Sequence, residues 1–177
     1  MDCNPELIDA AQNNTAKLGF SDRFALHTGE LADTRFLENL RMEASPVQLV
    51  MANPPWRLVG SGRLPATEAR RKALFGDKGT LPLFASAASS LLEEDGRFAC
   101  IISPDRLQDM LAALDGAGLT PYLLQYIHKQ KTSPATFVLI EARKGAHAKP
   151  SVAEPIALYG PERFFTLESL AFCPFLR

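Results

Sequence analysis

The sequence predicts an α/β fold: an open, largely parallel sheet with helices packed across its faces. Three observations carry that expectation. Short apolar runs such as Leu49-Val50-Met51-Ala52 and Phe98 to Ile102 are unbroken rather than alternating, as in strands covered on both faces. Stretches with apolar residues at helical spacing lie between such runs. Glycine or proline marks most of the changeovers, so strand and helix alternate and right-handed crossovers follow. At 177 residues, 46% of them hydrophobic and 22% charged, the chain is sized for one ordered domain with a real core.

Taken in order, Asn4-Pro5-Glu6 reads as a helix start: a polar cap, a proline in the first turn and an acid near the positive helix end. Leu7, Ile8, Ala11, Thr15 and Leu18 continue that helix to a stop at Gly19. Phe24 to Thr28 alternates like a short strand, and Phe36, Leu37 and Leu40 suggest a short helix. Val47 to Met51 reads as a strand covered on both faces. Leu81 to Leu92 is helical and ends at the acidic turn Glu93 to Gly96; Phe98 to Ile102 is a second buried strand. Ser103-Pro104 opens a helix through Leu114, with Ala112, Ala113 and Leu114 on its core stripe. Tyr122 to Ile127 and Thr136 to Ala142 read as two further strands joined by a Lys-rich connection. Beyond Lys144 the chain is Pro-rich and irregular.

Composition closes off several functions. Cys3, Cys100 and Cys173 are odd in number and form no CxxC pair, and three scattered histidines add nothing to a metal set. No zinc or other metal site is expected, and a reducing cytoplasm suits the thiols. No apolar run approaches the ~18 residues of a membrane span or the pattern of a secretory signal. A net charge of -1 announces no nucleic-acid binder, so such a function must rest on a local patch.

Ligands of open α/β sheets sit at the C-terminal strand ends. The segment Asn53-Pro54-Pro55-Trp56 directly follows an apolar run, and by composition it would arise by chance in about one such chain per thousand. An amino group conjugated to a ring or carbonyl is a poor nucleophile because its lone pair is delocalised. Two acceptors for its hydrogens, the Asn53 oxygen and the Pro54 carbonyl, favour a pyramidal nitrogen. The prolines stiffen the backbone and bring no competing N–H. Trp56 offers a flat face to a base turned out of its stack. The plainer alternative is a loop in which two prolines stop an edge strand and Trp56 is merely packed.

On these residues the chain resembles amino-methyltransferases with an Asn-Pro-Pro-aromatic motif, and in particular the family that methylates an adenine amino group in a valine tRNA. Along that family's pattern we match Asp2, Gly29-Glu30, Asn53 to Trp56, the basic stretch Arg63 to Arg71, Gly96-Arg97-Phe98 and Phe137 to Gly145. The resemblance implies a Rossmann-like methyltransferase sheet using S-adenosyl-L-methionine (SAM). Asn53, Pro54, Pro55 and Trp56 would be catalytic. Asp2 would bind the cofactor's ribose hydroxyls, Glu30 would lie near its adenine, and Asn53 would border it. Each acid could equally be a solvated residue beside a turn.

The family's Gly-rich loop after its first strand has no counterpart here, and Gly60-Ser61-Gly62 follows the motif instead of preceding it. The sheet is therefore expected to be incomplete at its N-terminus, lacking the first strand, that loop and most of the second strand. Residues 1–145 would be the C-terminal part of the methyltransferase domain, and residues 146–177 an extension packed on it. Residues 1–177 alone are then expected to bind SAM weakly or not at all, with a homodimer or an N-terminal partner segment as candidates to complete the sheet. A misplaced start, an expressed fragment and a split protein all remain open.

Arg57, Arg63, Arg70, Arg71, Lys72 and Lys78 stand against only Glu68 and Asp77 beyond the motif, a local patch suited to RNA phosphates. Trp56 and the four arginines are the substrate-binding candidates. Lys129, Lys131, Arg143 and Lys144 either extend the patch or are ordinary solvated strand ends. The expected substrate is an adenine of RNA, above all tRNA. Rival readings are a protein-glutamine N-methyltransferase, a DNA adenine methyltransferase and an inactive methyltransferase-like RNA-binding or interaction module.

Overall fold

The computed structural model describes residues 1–44, 46–55, 57–58, 66–145, 149–162 and 164–173. Its contacts divide the chain into Met1–Ser45 and Pro46–Arg177, and each unit is built differently.

In Met1–Ser45, helix α1 (Pro5–Lys17) starts where the sequence signals it, with the Asn4 side chain accepting from the Glu6 amide at 3.0 Å. A 3-10 turn, Ser21–Arg23, follows. Phe24 to Thr28 does not form the expected strand: only Thr28 pairs, in one isolated parallel bridge to Asp2. With a single paired residue there is no sheet face for the alternation to cover, and Phe24 is exposed. Helix α2 (Thr34–Glu43) is capped by Asp33, whose carboxylate accepts from the Arg35 and Phe36 amides at 3.0 and 3.2 Å.

Pro46–Arg177 opens with β1 (Val47–Ala52), β2 (Arg57–Leu58), α3 (Glu68–Leu74), β3 (Phe75–Gly76), α4 (Thr80–Leu91) and β4 (Leu92–Ile102). A 3-10 turn at Pro104–Arg106 leads into α5 (Leu107–Gly116), then β5 (Leu119–Gln130), β6 (Ala135–Lys144), β7 (Ser151–Val152), β8 (Ile156–Tyr159) and α6 (Leu167–Phe172). The main sheet runs in the order β1-β4-β6-β5, and β7 and β8 both pair with the outer edge of β5. β6 is antiparallel to its two neighbours, and the other strands share one direction. The C-terminal ends of β1, β4, β5 and β8 therefore lie along one edge of the sheet.

The core forms where α4 and α5 meet the sheet: Leu81, Phe98, Ile102, Met110, Leu114 and Val138 are fully enclosed. Ala113 and Leu114 belong to this core as expected, whereas Ala112 is exposed and lines a cavity of about 460 Å³ with Leu58, Pro82 and Ser86. The acidic turn does not separate helix from strand. It sits as a bulge inside β4: pairing with β1 jumps from Val47↔Leu92 to Leu49↔Arg97, with Asp95 at φ 62°.

β1 is not covered on both faces as its apolar run suggests. Among the described residues it pairs with β4 alone, and Leu49 and Met51 are 41% and 76% exposed. An unbroken apolar run specifies affinity for cover, not the presence of a neighbour on each edge.

Candidate active site

β1 delivers the Asn-Pro-Pro segment to the C-terminal edge of the sheet. Its register with β4 ends at Ala52↔Cys100, so Asn53 emerges beside the last residues of β4. Asn53 is exposed, Pro54 is fully buried and Pro55 is half-buried. A buried ring with fixed φ anchors the segment, leaving the neighbouring carboxamide to face outward. Trp56 and Arg63 lie outside the described residues.

The neighbouring strand end is shaped by a buried cation. After Ser103, the Pro104–Arg106 turn carries Arg106 inward to 4% exposure, and its Nε donates to Asp109 Oδ2 at 2.7 Å. The turn also packs against β6. The sequence marks a helix start here, which holds. It gives no sign that the arginine closing the turn is buried, because that depends on strands joined through residues 30 or more positions away.

Two described parts of the basic stretch are regular structure, β2 and α3. Arg57 lies in β2, paired in register with Phe75 of β3. Arg70 and Arg71 are exposed on α3, whose Thr67 cap accepts from the Arg70 amide at 3.4 Å. Asp77, at the turn into α4, is committed locally. It accepts from Thr80 Oγ1 and from the Gly79 amide, both at 2.9 Å, and these bonds hold its carboxyl below the ordinary value.

Lys129 and Lys131 part company with Arg143 and Lys144. The first pair is exposed where β5 turns into β6, on the Asn53 edge of the sheet. The second pair closes β6 at the opposite edge, and both side chains are occupied. Lys144 Nζ donates to the Ser89 and Leu92 carbonyls at 2.8 and 2.7 Å, capping the C-terminus of α4. The Arg143 guanidinium sits 4.6 Å from the Tyr122 ring centroid. One basic patch containing all four is excluded by the strand directions.

In Met1–Ser45, Asp2 and the Gly29-Glu30 pair are brought together. The Asp2 amide donates to the His27 carbonyl at 3.2 Å, and the Gly29 amide donates to the Asp2 carbonyl at 3.1 Å. Asp2 Oδ1 accepts from the Asn4 amide at 2.8 Å, just ahead of α1; no partner for its second oxygen is present among the described residues. A Cβ at Gly29 would overlap the Phe36 ring, so a side chain there would have to displace it. Glu30 is exposed. Among the described residues no cluster of three metal-ligating side chains occurs, and no helix is long and apolar enough to cross a membrane.

No family model matches the chain. Over 112 residues it is 32% identical to the tRNA1(Val) (adenine(37)-N6)-methyltransferases of two Porphyromonas gingivalis strains. That match covers 62% of this chain and 42% of the relatives, so the chain spans less than half of their length. Among solved structures, a predicted O-methyltransferase from Agrobacterium tumefaciens superposes with TM-score 0.68 at 19% identity, covering 98% of this chain and 73% of that one. An O-methyltransferase family 2 protein from Planctomyces limnophilus gives TM-score 0.51 at 17% identity, covering 81% and 41%. The chain thus has the fold of Rossmann-like methyltransferases, and in sequence it is similar to enzymes that act on the N6 of a tRNA adenine.

Proposed function

We propose that this chain is part of a SAM-dependent N-methyltransferase that modifies the exocyclic amino group of an adenine in RNA, specifically tRNA, in the cytoplasm. The observation that carries the reading is the Asn-Pro-Pro segment at the C-terminal end of β1, with an exposed Asn53 carboxamide beside a fully buried Pro54. The similarity to tRNA adenine-N6-methyltransferases supports the choice of substrate.

The residues present fit the cofactor in one respect. Asp2 has one carboxylate oxygen held by the Asn4 amide and a second left for vicinal hydroxyls, the pairing that suits a ribose. Asp2 and Glu30 would hold the nucleoside part, and SAM supplies the methyl group when bound. Asn53 Oδ1 and the Pro54 carbonyl accept the two amino hydrogens of the adenine, which draws the nitrogen lone pair out of conjugation. Trp56 stacks on the base. Arg57, Arg63, Arg70 and Arg71 hold backbone phosphates. The surplus proton leaves to water, so no general base is required.

The test is methyl transfer to unmodified tRNA by the complete protein and its Asn53→Ala variant, with SAM affinity measured in parallel by calorimetry. Turnover should fall at least about a hundredfold, the loss typical of a removed transition-state hydrogen bond, while cofactor affinity stays within a fewfold. Unchanged turnover removes Asn53 from the mechanism. Transfer to a protein glutamine in preference to tRNA overturns the substrate and leaves the motif chemistry standing.

A further inference from the structure

We propose that the β5–β6 turn and the turn following β8 form a second RNA contact, which holds unpaired nucleotides flanking the modified base. The proposal rests on the reading of Asn53 as the base site only for the course of the strand, since its own evidence lies three to four strand spacings away.

That evidence is a rigid, basic and aromatic edge. Lys129 and Lys131 are exposed, with no acidic partner among the described residues. The turn that presents them is stiff. Ser133 Oγ donates to the Gln130 carbonyl at 2.8 Å and accepts from the Gln130 amide at 2.9 Å, and His128 Nδ1 lies 2.7 Å from the Ser133 carbonyl. Gln130 Nε2 then donates to the Gly160 carbonyl at 3.3 Å, tying this turn to the one beyond β8. There Tyr159 and Phe165 stack with ring centroids 5.0 Å apart, and Phe164 is 73% exposed beside them.

Phe164 shares its turn with Pro161 and Glu162, and the Gln130–Gly160 bond ties that turn to the one that carries the two lysines. Its exposed ring suits stacking by a base whose phosphates meet the lysines, and Glu162 and Glu168 are exposed acids of the same segment. The position also fits. From β1 to β8 the order β1-β4-β6-β5-β8 makes four strand spacings, about 19 Å, within reach of the ~4–16 nucleotides that single-strand grooves accommodate. A nucleotide chain whose target base sits at Asn53 would run along this edge of the sheet.

The measurement is fluorescence anisotropy of a labelled, adenine-containing single-stranded RNA of about 12 nucleotides, titrated with the complete protein across a salt series. Phe164→Ala should weaken binding about tenfold, and Lys129→Gln with Lys131→Gln should both weaken it and flatten the log–log salt slope by about 1.4, the release expected for two phosphates. Circular dichroism establishes that both variants fold, as exposed substitutions should. Wild-type RNA affinity in either variant overturns the proposal, and Phe164 would then belong to a protein contact. A probe of the same length without adenine separates the two readings: the Phe164 and lysine variants should weaken its binding as well, because the second contact stacks on any base and meets phosphates. Failure of tRNA methylation by the wild-type protein, with RNA binding still sensitive to Phe164 and the lysines, sinks the proposed reaction and leaves the surface.

Discussion

Met1–Ser45 and Pro46–Arg177 contain similar apolar residues and treat them in opposite ways. In the first unit neither α1 nor α2 buries a residue, and Leu7, Leu18, Phe20 and Phe24 are exposed. What orders it is mostly short-range, the Asn4 and Asp33 caps and a proline in the first turn of α1, with a single longer-range bridge between Asp2 and Thr28. In the second unit Phe98, Leu81 and Ile102 are fully enclosed between helices and a sheet whose partners lie far apart in sequence. Helices short enough to be marginal alone depend on packing for their stability, so the same local propensities should be worth much less in the first unit than the core is in the second.

That contrast is measurable, beginning with its largest effect. Phe98→Ala should cost about 3–5 kcal/mol in urea denaturation, because it empties the centre of the β4 layer. Lys144→Met comes next. It keeps the aliphatic stem and removes two charge-assisted bonds to the end of α4, for a loss of about 1.5–3 kcal/mol. The same variant should leave RNA affinity unchanged, whereas the lysines at the other end of the sheet should not. Asn4→Ala and Asp33→Ala should each cost about 1 kcal/mol, read as faster amide exchange in α1 and α2. A cap substitution as damaging as Phe98→Ala would break the comparison, since it would mean that the first unit carries cooperativity its burial does not reveal.

How far the sequence could be read follows the same divide between local and distant causes. Helix α1 was legible because its cap, proline and stop lie within its own residues, and α4, β4, α5, β5 and β6 because each has a long periodic or apolar run. The Asn-Pro-Pro segment was legible because its position depends only on the strand before it. By contrast, β8 covers four residues, Ile156–Tyr159, in a Pro-rich stretch and exists through pairing with β5 some 29 positions earlier. Helix α3 is only seven residues, with Arg70, Arg71 and Lys72 at its centre and no apolar stripe to announce it. The occupied state of Lys144 depends on carbonyls 52 and 55 positions away, which no local pattern encodes. The alternation at Phe24 to Thr28 misled for the converse reason: a strand signal needs a partner strand, and only one residue found one.

The smallest effect tests the divide with one functional group in both settings. Cys3 is exposed in the first unit, and Cys100 is buried in β4, where desolvation pushes its thiol from the ordinary 9.0 up to about 12. A group whose pKa is raised by folding contributes stability that is complete below the unfolded value. That stability is lost as pH climbs through the interval toward the folded value. Stability should therefore be flat in this respect up to about pH 8 and then decline, by less than about 1 kcal/mol at pH 9.5. Cys100→Ala should remove that component of the slope, and Cys3→Ala should not. A thiol reagent at pH 8 should label Cys3 and Cys173 in the folded chain and spare Cys100. Prompt labelling of Cys100 would show that the β4 layer opens as readily as the first unit, which the enclosure of Phe98 and Ile102 on either side of it argues against.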